Sequence, residues 1–405
     1  MEHTLFEPSR ELPVYGQYDV VVAGGGIAGI AAALSAARAQ KHVLLLERMF
    51  ALGGLATLGL VTIYLPLCDG RGKQLSYGIS EELLKLSILH GCEDRHPDPW
   101  LLPPNKDSAK QREKIRYQAQ YNAQVFAILT EQLLLDAGVE ILYGTMICSA
   151  LKNGDHIDGI CIENKSGRQA VLGAEFVDCT GDADLCAFAN AKTALYKPQN
   201  ILAAWHYLSG ENGYQLKQLG FAEEPPEMQT KKDEKPLVAK RFTGIDGKEL
   251  SEMSTLAHKS ILNDFLSGGK AMQKHALATI ATIPQLRMTR RLCGEYTLDS
   301  AEDHVSFDDS IGMIGDWRKR GPAYEVPFRT LFSKETDNLL VAGRCISVAD
   351  DMWDITRVIP ACAITGQAAG TAAAIGTAKA AGNVSLLQKA LREQGVLLHL
   401  DEIYK

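Results

Sequence analysis

The stretch DVVVAGGGIAG, residues 19–29, constrains this chain more than any other. Three valines at 20–22 run into Gly24, Gly25 and Gly26, and an alanine-rich apolar stretch follows from Ile27. A near-continuous apolar run is what a parallel strand buried on both faces requires. The three glycines in G-x-G-x-x-G spacing each have a task. Gly24 permits the tight turn out of the strand, Gly26 lets the backbone approach a pyrophosphate, and Gly29 lets the next helix pack against the sheet. That helix, expected from about Ile27 to Ala39, offers unpaired N–H groups and a positive dipole end to phosphates. A second strand is expected at Val43 to Leu46. Glu47 follows it, about 20 residues beyond the fingerprint, where an acid accepts from ribose hydroxyls and disfavours a 2′-phosphate. Strand, turn, helix, strand and acid together read as a dinucleotide-binding unit.

The fingerprint leaves most of a 405-residue chain unassigned. That length exceeds the size at which one core stops growing, which predicts two intertwined domains. A helix is expected from Gln124 to Ala137. Short strands follow around Val139 to Tyr143 and Ile157 to Ile162, and the turn signals at Gly154-Asp155 and Ser166-Gly167 suggest an antiparallel meander. Leu339, Leu340 and Val341 read as a late buried strand, and Pro360 to Ala381 as one helix. The middle has weaker signals and a charged loop, Lys231 to Lys235. The expected division is a discontinuous nucleotide-binding domain, 1–190 and 324–405, with a substrate domain at 191–323. A formal net charge of −7 argues against nucleic acid as a partner. No window approaches the run of about 20 apolar residues needed to cross a bilayer, so no membrane span is expected. Acids and a proline in residues 1–10 argue against a signal peptide. The nine scattered cysteines contain no C-x-x-C pair, which predicts a reducing cytoplasm and no metal site.

Several further segments carry a resemblance. LGGLAT (52–57) adds a second glycine pair after Glu47. FVDCTGDAD (176–184), NLLVAGR (338–344), PACAITGQAAG (360–370), RMTRR (287–291) and YEVPFR (324–329) follow in order. Together they resemble the FAD-dependent oxidoreductases of the glutathione-reductase-like superfamily. The resemblance implies an α/β fold: a Rossmann-like FAD-binding domain with a parallel sheet and β-meander, plus an inserted α+β substrate domain. It implies FAD contacts from Gly24, Gly26, Ile27, Ala28, Gly29, Glu47 and Arg48, then Gly53, Gly54, Ala56, Thr57 and Ile147. Thr180, Gly181, Asp182, Gly343 and Arg344 would follow, with Thr365, Gly366, Gln367 and Ala368 at a helix N-terminus facing the flavin ring. Many relatives carry Gly-Asp where this chain has Gly343-Arg344. An arginine there suits a pyrophosphate, leaving Asp350, Asp351 or a backbone group for the ribityl chain.

Flavin carries the redox chemistry itself, so the residues sought are those that orient substrate and handle protons. Arg357 could clamp a carboxylate or stabilise an enolate or alkoxide; its alternatives are a pyrophosphate contact or a structural ion pair, for instance with Asp351 or Asp354. His206 could take a hydroxyl or amine proton, or be a packed strand residue. Tyr324 could donate a hydrogen bond, and Arg290, with Arg291, could bind substrate or neutralise nearby acids. The absence of a second G-x-G-x-x-G disfavours a dedicated NAD(P)H domain. The resulting expectation is hydride transfer between flavin N5 and a small polar alcohol or amine. The alternatives are reduction of an activated C=C bond and a non-redox or RNA-modifying role. A homodimer is the base-rate assembly.

Overall fold

The computed structural model describes residues 4–103, 105–211, 213–220, 236–268 and 274–404. The charged loop 231–235 lies outside the described residues. The first strand, Val14–Ala23, pairs in parallel with Val43–Leu46 on one side and Gly167–Asp178 on the other. Glu140–Leu142 extends the sheet beyond Val43–Leu46, and Leu339–Val341 runs parallel to Phe176–Asp178. Valines 20–22 and Val43–Leu46 are buried throughout, as expected of parallel strands with no solvent-facing side. The expected strands at 43–46 and 339–341 form at those residues. So does the meander: Met146–Asn153, His156–Asn164 and the first half of Gly167–Asp178 pair antiparallel, with Gly154 and Gly167 at positive φ in the turns. The strand Gly167–Asp178 thus belongs to the meander at its start and to the parallel sheet at its end.

The fingerprint helix, Ile27–Arg38, is buried from Ile27 to Ala37 because a second helix lies along it. That late helix, Ile359–Ile375, presents Gly366 and Gly370, four residues apart, to the fingerprint helix. A Cβ at Gly366 would lie 2.2 Å from the Ala28 carbonyl oxygen, and one at Gly370 would lie 2.1 Å from that of Ala32. The two backbones touch only because both positions lack a side chain.

Two expectations change. The helix expected over 360–381 stops at Ile375, since Gly376 takes φ 102°, and a separate helix, Thr377–Gly382, follows. Glu175 receives that second helix, accepting from the Thr377 N–H. Sequence reading also missed a small antiparallel sheet of Ile63–Tyr64, Ala119–Tyr121 and Cys92–Asp94. Its strands are too short to show a period, yet Tyr64, Tyr117 and Tyr121 bury their rings there. Within 191–323, His206–Gly210 lies between Gly213–Lys217 and Ala276–Ile280 in an antiparallel sheet, and the helix Gly247–Ser267 accompanies it. Among the described residues no single helix is long and apolar enough to cross a membrane.

Candidate functional site

Register places Ala23, Leu46, Asp178 and Val341 at one edge of the parallel sheet, so four strands end together. A crevice beyond such carboxyl ends is where open α/β sheets bind ligands. The next residues of each strand, Gly24, Glu47, Cys179 and Ala342, line a cavity of about 490 Å³. That volume is in the range of cofactor and substrate sites.

The glycines divide as their surroundings dictate. Gly24 has φ 101°, and a Cβ there would lie 2.6 Å from the Cys179 carbonyl oxygen. A Cβ at Gly26 would meet nothing within 4 Å, so the backbone is bare where it borders the cavity. Gly26 also caps the fingerprint helix without a side-chain acceptor, leaving that N-terminus to an outside anion. Gly29 does not line the cavity. Its Cβ would lie 1.8 Å from the Gly24 carbonyl oxygen, so this glycine closes the turn on itself more than it closes helix on sheet.

Glu47 is buried and lines the cavity. Its Oε2 accepts from the Gly25 N–H at 2.7 Å and its Oε1 from Met49 at 2.8 Å. Each oxygen keeps a lone pair for a ribose hydroxyl. Arg48, Gly53, Gly54, Ala56 and Ile147 also line the cavity, as do Ile27, Ala28, Thr180, Gly181, Asp182 and Gly343. Thr57 does not: it sits beneath Gly53, whose Cβ would lie 2.4 Å from Thr57 Cγ2, and its hydroxyl bonds to the Leu52 carbonyl.

Arg344 borders the cavity but spends its guanidinium on the protein. It donates to the Gly181 and Leu286 carbonyls and pairs with Asp182, whose Oδ1 also accepts from Thr289. Its three nitrogens bind three different groups, which fixes the 180–182 turn against 286. Asp350 and Asp351 do not line the cavity, and Asp351 accepts from Ser300.

The late helix touches the cavity through Ile359 and Cys362, not through residues 365–368. Thr365 accepts from the Gly343 N–H at 2.9 Å, Gly366 packs on Ala28, and Ala368 is fully buried. Gln367 accepts from the Ile79 N–H and donates to Gln394. These four lie about two turns into the helix, too deep to present free N–H groups. They hold the helix in place behind the cavity.

Three of the four catalytic candidates lie away from the cavity. His206 is fully buried in the centre of its three-stranded sheet, with Nδ1 3.2 Å from the Ala204 carbonyl and Nε2 3.9 Å from Asp264. Burial pushes its pKa down, partly offset by the Ala204 carbonyl and Asp264. Tyr324 is buried and donates to the Ser300 carbonyl, and burial raises its phenol. Arg290 donates to the Asp182 carbonyl and pairs with Asp184 at 2.6 Å, an arrangement that neutralises an acid. Arg357 alone lines the cavity. Its Nη2 is held by Asp354, and its Nε is buried without a hydrogen-bond partner.

Sequence reading missed the opposite wall, made by Leu250, Ser251, Ser254, Thr282, Ile283, Pro284 and Leu286. It also passed over Asp184, although that residue ends the FVDCTGDAD segment. Asp184 lines the cavity, and its carboxyl is raised to about 6 by burial and by Asp182 and Asp178.

The family model for FAD dependent oxidoreductases matches residues 19–201 and 197–394. A thioredoxin reductase from Ureaplasma parvum serovar 3 (strain ATCC 700970) is 37% identical over 71 residues, 18% of this chain and 23% of that protein. This chain therefore matches about a quarter of that relative's length. Among solved structures, a geranylgeranyl bacteriochlorophyll reductase-like protein from Thermoplasma acidophilum aligns with TM-score 0.44 and 13% identity. The alignment covers 94% of this chain and 82% of the other. A p-nitrophenol 4-monooxygenase from Pseudomonas putida DLL-E4 aligns with TM-score 0.43 and 12% identity, over 94% and 83% of the two chains. The family match spans nearly the whole chain, and its motifs meet around one cavity at the carboxyl ends of a parallel sheet: this protein belongs to the FAD-dependent oxidoreductases.

Proposed function

We propose that this flavoenzyme is a dehydrogenase or oxidase acting on a small polar alcohol or amine. The observation that carries the reading is Arg357, which lines the cavity at the start of the late helix with a buried, unpartnered Nε. A buried donor left open is costly unless a ligand completes it. When bound, FAD supplies the two-electron chemistry, with N5 as the hydride acceptor.

This chain's residues would hold it in a definite order. The bare backbone at Gly24 and Gly26 and the start of the fingerprint helix suit the pyrophosphate. The remaining lone pairs of Glu47 suit the ribose, and Gly53, Gly54, Ala56, Thr180 and Gly181 leave room for the chain between. Gly29, Thr57 and Thr365 through Ala368 support this cradle from behind, and Arg344 borders it while bracing the 180–182 turn. Residues 1–190 and 324–405 act as the cofactor-binding part and 191–323 as the substrate part. This division is supported by the wall of the shared cavity that Leu250, Ser254 and residues 282–286 supply.

The test is anaerobic mixing of the FAD-loaded protein with panels of small alcohols and amines. Loss of the visible flavin absorbance with one class is the expected result. If none bleaches the flavin while an enone reoxidises the reduced protein, the enzyme is a C=C reductase instead.

A further inference from the structure

Two segments of the 191–323 part run from the first cavity into a second. The helix Gly247–Ser267 lines the first with Leu250, Ser251 and Ser254, and the second with Met253, Ser254, Ala257 and Ile261. The segment 280–285 does likewise. Thr282, Ile283 and Pro284 border both spaces, whereas Ile280 and Ala281 border only the second. The second cavity, about 280 Å³, therefore adjoins the first and shares part of its wall.

Small side chains keep this space open. Ala203, Ala204, Ala257 and Ala281 stand where larger residues would fill it. Protein interiors are close-packed, and voids larger than a water molecule are few. An apolar cavity of about 150 Å³ is enough to take up benzene. Room of this size beside a cofactor cavity is what a ligand site requires.

The wall also indicates which chemistry fits. Trp205, Met253 and Ile261 are buried there. The polar side chains among them are already engaged. Gln285 accepts from the Trp205 N–H at 3.0 Å and donates to the Gly59 carbonyl. The Trp205 indole N–H donates to the Gly220 carbonyl at 3.3 Å, and the Ser254 hydroxyl to the Leu250 carbonyl at 2.9 Å. The Arg287 guanidinium lies 5.0 Å from the centre of the Trp205 ring and steadies it. The other two polar side chains of the wall, His258 and Thr282, belong to exposed residues. A polar group placed among these apolar residues would give up water for few new hydrogen bonds.

We propose that this second cavity binds the apolar part of the substrate, a single ring or a branched hydrocarbon of similar bulk. The hydroxyl or amine would then reach past Ser254 and residues 282–284 into the first cavity. The substrate class becomes an alcohol or amine carried on an apolar body. This deepens the proposed function and rests on it for the reacting group.

The test uses the FAD-loaded protein with fluorobenzene as probe, and binding is read as a saturable shift in its fluorine NMR signal. Ala257→Phe and Ala281→Leu fill the cavity from two different segments, and neither residue lines the first cavity. Each should weaken fluorobenzene binding at least about tenfold, while Ala257→Ser should bind it nearly as the parent does. Ala281→Leu serves if Ala257→Phe does not accumulate with flavin. A ring-bearing alcohol or amine that bleaches the flavin should displace fluorobenzene, and its KM should rise at least about tenfold in the filled variants. The idea fails if fluorobenzene gives no saturable shift, or if the filled variants bind it as the parent does. It fails too if only the FAD-free protein binds the probe, since the cavity would then belong to the cofactor. Bleaching by a ring-bearing substrate with an unchanged KM in both filled variants would keep the dehydrogenase reading and overturn this site. Fluorobenzene binding lost in both, with no alcohol or amine bleaching the flavin, would keep the site and reject the dehydrogenase reading.

Discussion

Gly26 and Gly29 occupy one motif three residues apart, yet their surroundings predict opposite phenotypes. Gly29→Ala would place a methyl 1.8 Å from the Gly24 carbonyl oxygen, so the turn must open. The expected loss is about 1–3 kcal/mol of folding stability, seen as a lower Tm with or without FAD. Gly26 has φ −69° and ψ −178°, which alanine adopts freely, and its methyl would enter open space. Gly26→Ala should keep the apoprotein Tm of the parent but bind FAD at least about tenfold more weakly. Flavin fluorescence titration of the two variants separates the cases; unchanged affinity in Gly26→Ala would move the pyrophosphate elsewhere. Sequence marks both glycines but cannot assign these duties, because turn closure and ligand approach select the same residue. The same holds for Thr57 and Gln367, whose polar groups in motif positions serve the backbone, and for Arg344, whose partners come from residues 181, 182 and 286.

The element that sets the depth of the site is the late helix, and its distance from the fingerprint helix is fixed by two glycines. Gly370 lies one turn deeper than Gly366 and farther from the cavity, so it tests helix spacing with less effect on ligand contacts. Gly370→Ala would bring a methyl within 2.1 Å of the Ala32 carbonyl oxygen and should cost about 1–3 kcal/mol by denaturant unfolding. Gly382→Ala, where a Cβ meets nothing within 4 Å, should stay within about 0.5 kcal/mol of the parent. Equal effects at the two positions would mean the helices can separate without loss. This helix was legible in the sequence as an alanine-rich apolar run, and so were the strands whose valines and leucines leave no polar face. Its break at Gly376 was not, since one glycine within an alanine-rich stretch marks a tolerated residue as readily as an end. The strands of the small tyrosine-rich sheet are two or three residues long and show no alternation to read.

At the scale of the whole molecule, the cavity gathers residues from Gly24 to Cys362, and its far wall comes from 250–254 and 282–286. This wall lies between Asp184 and Ala342, in a stretch with weak sequence signals, which is why the cofactor side could be read and the opposite side could not. A ligand that bridges them must couple their stabilities. By linkage, free FAD at 100 times its Kd adds about 2.7 kcal/mol to unfolding, so Tm should climb with the logarithm of FAD concentration. The distribution of that gain is the sharper expectation. If residues 250–254 and 282–286 belong to the flavin's own cavity, their amides should exchange more slowly when FAD is added, along with those of 24–29. The exposed end of the strand Ala276–Ile280, which faces neither cavity at Ala276 and Leu277, should change little and serves as the internal reference. Protection confined to residues 24–57 and 178–184 would leave the 250–286 wall uncoupled from the cofactor. Substrate would then have to bring the two sides together.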